Sequence, residues 1–158
     1  APEGSIYECN LIFEFSLGCA KKNENINFIF RFPPMINIDK LISHNKKFRN
    51  LPDNIAISEV NLLNDITRSN VILYRGSSVV IQAVVCGLKP IYLKVDNELT
   101  TDPLYEITEG REIVTNIEEF KLSLSKNIDT NIKEELVNYC KEIYTPLDIS
   151  VLENVLNN

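Results

Sequence analysis

At 158 residues the chain is long enough for one domain with a sizeable core and too short for two ordinary ones. Its 44% apolar and 24% charged residues are the balance of a soluble globular protein, and a net charge of −6 argues against nucleic acid as a partner for the chain as a whole. No apolar run approaches the roughly 20 residues of a membrane span and no signal peptide is present. The cysteines, read as buried reduced thiols, fit a reducing, cytoplasmic compartment.

Ser5 followed by Glu8 is a capping-box pattern at the head of a helix expected over Ile6 to Ala20, with Lys21 and Lys22 at its negative end. The apolar run Ile26 to Phe32, stopped by Pro33-Pro34, predicts a strand. A short basic helix over Ile38 to Phe48 follows, then a strand at Ile55 to Ser58 and a helix from about Val60 to Ser69. Val71 to Tyr74 is a strand, Arg75 to Ser78 a turn, and Ser78 to Cys86 a helix with Gly87 at its C-terminal cap. Ile91 to Val95 and Glu112 to Val114 are strands, and helices are expected at Ile117 to Ser125, Asn131 to Tyr144 and Ile149 to Leu156.

Strands that are continuous apolar runs alternating with helices predict an α/β fold, a doubly wound parallel sheet in a three-layer α/β/α arrangement. Residues 1–158 are expected to form one such domain, with helices in 129–158 packing on it. A domain of this class has a strand before the turn Pro2-Glu3-Gly4-Ser5, so the chain is expected to be an excised piece of a longer protein. In such sheets ligands bind outside the carboxyl ends of the strands. Three loops leave those ends: Glu3 to Ser5, Arg31 to Pro34, and Arg75 to Ser78.

Gly76-Ser77-Ser78 is the main candidate site. Gly76 can take a positive φ that lets backbone approach a ligand, and the two serines add hydroxyls where a helix begins, a place that favours an anion such as phosphate. A plain turn between strand and helix with a serine cap accounts for the same residues. Neither a Walker A loop nor a GxGxxG fingerprint is present. Arg75 and Arg31, at buried strand ends, either pair with carboxylates or face an anionic ligand. Glu3 and Glu8 frame the first turn, where a carboxylate can serve as general base for a sugar hydroxyl; a capping box explains Glu8. Asp102-Pro103-Leu104 either sets the sugar end of a ligand or is ordinary turn chemistry. His44, the one histidine, reads as a solvent-facing residue. Of the four cysteines, Cys9, Cys19 and Cys86 fall in apolar helical patterns and are expected to be buried thiols; no metal-ligand spacing occurs.

Pro2-Glu3-Gly4, Glu8, Arg31 to Pro34, Ser69 to Tyr74, Gly76-Ser77-Ser78, Ala83, Gly87, Pro90-Ile91 and Asp102 to Leu104, in this order, resemble the C-terminal half of a bacterial GT-B glycosyltransferase of surface or capsular polysaccharide synthesis. The resemblance covers about residues 1 to 120. It implies a Rossmann-like domain holding a nucleotide-sugar donor, with an acceptor-binding N-terminal domain elsewhere in the parent protein. Glu3 and Arg75 would be its catalytic candidates. Gly4, Ser5, Arg31, Ser58, Gly76, Ser77, Ser78, Gln82, Asp102 and Leu104 would be its substrate-binding ones. No metal or other cofactor is implied, no transmembrane segment is expected, and peripheral membrane contact is left to the missing part. Two departures matter: Arg31-Phe32-Pro33-Pro34 stands where relatives often carry Arg-x-His-Pro, and Gln82 stands where they carry glutamate. They favour an alternative, a non-catalytic ligand-binding or interaction domain of the same fold. Half of a sugar-nucleotide epimerase is a third reading.

Overall fold

A computed structural model of the protein describes residues 1–99 and 102–144. The expected helix at Ile149 to Leu156 lies outside them. In chain order the elements are α1 (Ile6–Lys22), β1 (Phe28–Phe30), α2 (Ile38–His44), β2 (Ile55–Ile57), α3 (Leu62–Thr67), β3 (Val71–Tyr74), α4 (Val79–Val85), β4 (Lys89–Leu93), β5 (Glu112–Val114), α5 (Ile117–Ser125) and α6 (Thr130–Ile143). The predicted alternation holds, with most boundaries moved by a few residues.

Among the described residues all strand pairs are parallel, and they form two sheets: β1 with β2, and β3-β4-β5 with β4 in the centre. The expected single sheet is thus divided between β1 and β3. Beside β3, Pro2 forms an isolated parallel bridge with Arg75. Neighbouring residues on β4 serve different cores. Ile91 and Leu93 join a cluster with α1, β1, α2 and Phe120 of α5, whereas Tyr92 joins one with α3, α4, Leu104 and α6. Side chains alternate across a strand, so β4 is covered by apolar residues on both faces. Helix α1 packs against α2, α5 and β1, and α4 against α6, β3 and β4.

Local chemistry explains the boundaries. Ser5 caps α1 by accepting the Glu8 N–H at 3.1 Å. The basic helix expected over Ile38 to Phe48 breaks at Asn45, followed by a 3-10 turn over Lys46–Arg49. The Asn45 side chain accepts the Lys47 N–H at 3.1 Å and donates to Asn10 and Glu14 on α1, which holds the chain in an extended conformation between the two turns. Gly87, at φ 92°, closes α4 as expected, its N–H donating to the Val84 carbonyl at 2.8 Å. Cys9, Cys19 and Cys140 are buried, and burial pushes the Cys9 and Cys140 thiols up to about 11 and the Cys19 thiol to about 12. Cys86 is exposed, contrary to expectation, because it lies beyond the last turn of α4 instead of on its apolar face.

Asn54 fastens the first sheet to α1. Its side-chain NH2 lies within 2.9–3.2 Å of the carbonyls of Ala20, Asn23 and Ile26, while its backbone carbonyl accepts the Phe28 N–H at 2.8 Å. The Ala20 and Asn23 carbonyls also accept the Asn23 and Ile26 N–H groups, so removing the amide takes one bond from each and the Asn54 bond from the Ile26 carbonyl. Asn54→Ala is expected to lower unfolding free energy by about 1 kcal/mol in urea titration, with the slope unchanged.

Candidate functional site

The carboxyl ends of the strands carry three polar clusters. In the first, the Pro2–Arg75 bridge sets the Glu3-Gly4-Ser5 turn beside the Arg75 to Ser78 turn. Arg75 is only 2% exposed. Its guanidinium donates from Nε to Glu8 Oε2 at 2.9 Å, pairs through Nη2 with Glu98, and lies 3.5 Å from the Leu93 carbonyl. Tyr7 donates its hydroxyl to the other oxygen of Glu98. Burial raises the Glu8 carboxyl above the usual carboxylate range, against the opposing pull of Arg75. The capping box is therefore half formed: Ser5 caps the helix, but the Glu8 carboxylate turns to Arg75.

The second cluster joins the ends of β1 and β2. Arg31 donates through Nη1 to Asp65 Oδ2 at 2.8 Å, to the Val60 carbonyl at 2.8 Å and to Ser58 Oγ at 3.2 Å. Ser58 donates its own hydroxyl to Asp65, and Arg68 reaches Asp65 Oδ1 at 2.7 Å. Burial by itself would raise Asp65; the bonds from Ser58, Arg31 and Arg68 outweigh it and hold the carboxyl below its usual value. The third cluster surrounds Asp102, buried and paired with Arg111. Asp102 Oδ1 accepts the Tyr74 hydroxyl at 2.7 Å and the Leu104 N–H at 2.8 Å.

Each sequence candidate thus has a definite place. Glu3, Gly4 and Ser5 are exposed, and a Cβ at Gly4 would meet nothing within 4 Å. Gly76 takes the expected positive φ, 63°. Ser77 is buried, with its carbonyl accepting the Val80 N–H; Ser78 is exposed and makes no side-chain cap bond, because its backbone is already helical. Gln82 is half-buried on α4. Leu104 is fully buried, so its side chain is core and not surface. His44 is exposed, as expected. Arg75 and Arg31, for which pairing and ligand contact were both open, are paired.

The Pro2–Arg75 bridge brings the Glu3 to Ser5 turn beside the Gly76 to Ser78 turn, a partly exposed stretch of backbone with serine hydroxyls on both sides. It can accept a ligand oxygen from backbone N–H groups and hydroxyls. Arg75 has no charge to spare for such a ligand while Glu8 and Glu98 both hold it. Sequence reasoning missed Glu98, Asp65, Arg68 and Arg111, all long-range or adjacent partners of candidates it did find. The one available signal was the cost of burying Arg31 and Arg75, which requires carboxylates somewhere in the chain.

Replacing Arg75 by methionine strands the buried Glu8 carboxylate and is expected to cost about 3 kcal/mol at pH 7, with part regained in Arg75→Met/Glu8→Gln. With Arg75 gone, burial acts unopposed on Glu8, whose folded-state pKa then lies further above its unfolded value. The single variant should therefore gain stability as pH falls from 7 to 5, and the double variant should lose that trend. Chemical denaturation at the two pH values checks both.

No family model, curated protein or solved structure matches the chain.

Proposed function

We propose that the chain is the donor-binding domain of a GT-B-type glycosyltransferase of surface polysaccharide synthesis, a Rossmann-like three-layer α/β/α domain. The observation that carries this is the meeting of candidate residues from separate chain segments at the carboxyl ends of parallel strands. The bridge of Pro2 to Arg75 unites the first turn with the serine turn, and the Arg31–Ser58 bond unites the ends of β1 and β2. That is where open α/β sheets bind ligands. The double apolar cover of β4 supports the three-layer arrangement.

In this reading the diphosphate of a nucleotide-activated sugar lies against Gly76, Ser77 and Ser78. Backbone N–H groups and the exposed Ser78 hydroxyl would balance the charge that builds on the leaving diphosphate, so positioning and electrostatics supply the catalysis without a covalent intermediate. Glu3, exposed beside that turn, is the candidate base for an acceptor hydroxyl brought by a second domain. Ser58 and the loop after β2 would flank the base, and Gln82 would offer an amide to the sugar or ribose. Asp102 serves this site through Tyr74 and the Leu104 loop.

A second reading has a specific observation in its favour. Both arginines at the sheet end are neutralised internally, Arg75 by Glu8 and Glu98 and Arg31 by Asp65. A domain that keeps the fold and binds a ligand or partner without transferring sugar needs no free cation there. Binding precedes chemistry in both readings, so a binding test comes first. Thermal unfolding with UDP, CDP, GDP and their sugars at millimolar concentration is expected to show one nucleotide stabilising the protein, by about 2.7 kcal/mol at 100 times its Kd. Gly76→Val, which forces a branched side chain onto a positive φ, should abolish the shift. No shift with any nucleotide would overturn the donor assignment.

A further inference from the structure

The arginine clusters at the sheet end differ in their charge balance. Arg75 meets two carboxylates, Glu8 and Glu98, so its cluster carries a surplus negative charge. Around Asp65 the balance is reversed. This single carboxylate holds two guanidiniums, Arg31 on Oδ2 at 2.8 Å and Arg68 on Oδ1 at 2.7 Å. Among the described residues no other carboxylate lies within salt-bridge distance of either arginine, so one positive charge is left over.

The surplus is accessible. Asp65 is buried, but the side chains of Arg31 and Arg68 are 33% and 49% exposed. All the bonds of Arg31 leave from Nη1, to Asp65, to the Ser58 hydroxyl and to the Val60 carbonyl. Its Nε and Nη2, a pair able to donate parallel bonds to one oxyanion, have no acceptor among the described residues. Arg68 engages Asp65 through Nη2 alone, which leaves its Nε and Nη1 in the same state. Because the two arginines grip the two oxygens of one carboxylate, their guanidiniums stand close enough for one phosphate group to touch both.

Packing does not require the second cation. Asp65 Oδ2 already accepts from Arg31 and from the Ser58 hydroxyl, and a neutral donor at position 68 would satisfy Oδ1 without adding a charge. A half-exposed pair three residues apart, at the end of a helix of six residues, adds little to stability.

We propose that Arg31 and Arg68, oriented by Asp65, form an oxyanion site that takes a phosphate group. The site lies beyond the ends of β1 and β2, on residues other than those of the Gly76 turn, and stands whether or not that turn binds a nucleotide. Phosphate suits it better than a carboxylate does. Near neutral pH it carries more than one charge, and its third oxygen lets each guanidinium have an acceptor of its own.

The test is a titration of the 158-residue chain with sodium phosphate, read by NMR at the Nε–H groups of Arg31 and Arg68. Sodium chloride at matched ionic strength is the blank, and sodium acetate measures the preference for phosphate. Saturable shifts of both arginine signals are expected with phosphate, and binding weaker by about threefold or more with acetate. Arg68→Gln, which keeps a neutral donor for Asp65, should weaken phosphate binding by about tenfold. The amides of Gly76 to Ser78 report on the donor site in the same spectra, so the two assignments fail separately. Arginine signals that stay still, or that move as much with chloride, would overturn the proposal. So would acetate binding as tight as phosphate binding, or unchanged affinity in folded Arg68→Gln. The wild-type titrations decide the matter by themselves if that variant does not fold.

Discussion

The arrangement at the sheet end depends on one buried cation. Arg75 sits at the end of β3 in a place where an unpaired charge would be prohibitive, and its solution draws in distant parts of the chain. Glu8 comes from the first turn of α1 and Glu98 from the loop after β4. The same guanidinium thus fixes how α1 begins, where β3 ends and where the loop following β4 lies. The buried pair does not by itself imply a stable fold, since an apolar trio of similar volume can do as well. What it does is specify: losing Glu8, the more buried partner, leaves Arg75 only the more exposed Glu98.

This has a functional cost as well. An arginine at a strand end beside a glycine turn is well placed to meet a phosphate, yet here its donors are already engaged by two carboxylates. A ligand anion at the turn would have to rely on backbone N–H groups and hydroxyls, or compete with Glu98, the more exposed of the two partners. Arg31 repeats the pattern with Asp65, a carboxylate that also holds Ser58 and Arg68. The sheet end is built to present turns, with its charges folded inward.

Much of this was legible from local sequence. The serine cap of α1, the apolar strands, the positive φ at Gly76 and the glycine stop of α4 each follow from residues a few positions apart. The break at Asn45 was not, since it rests on Asn10 and Glu14 some 30 positions away, whereas the local pattern reads as one helix. Glu8 shows the same limit. Its spacing from Ser5 satisfies a capping box, but a buried arginine 67 residues on outbids the backbone for its carboxylate. Leu104 looked like part of a ligand loop because Asp-Pro marks a turn, and nothing local says that the turn folds its leucine into the core. The division of the sheet was equally hidden, since the apolar strands predict parallel pairing without saying which edges remain open.

The central claim, that the paired turns at Glu3 to Ser5 and Gly76 to Ser78 form an anion site for a nucleotide-activated sugar, is tested most directly by residue-resolved NMR titration with a nucleoside diphosphate. The account predicts saturable shifts concentrated in the amides of Gly76, Ser77 and Ser78, with Gly4 and Ser5 following. Saturable shifts that gather elsewhere on the domain, or none at millimolar ligand, would contradict it.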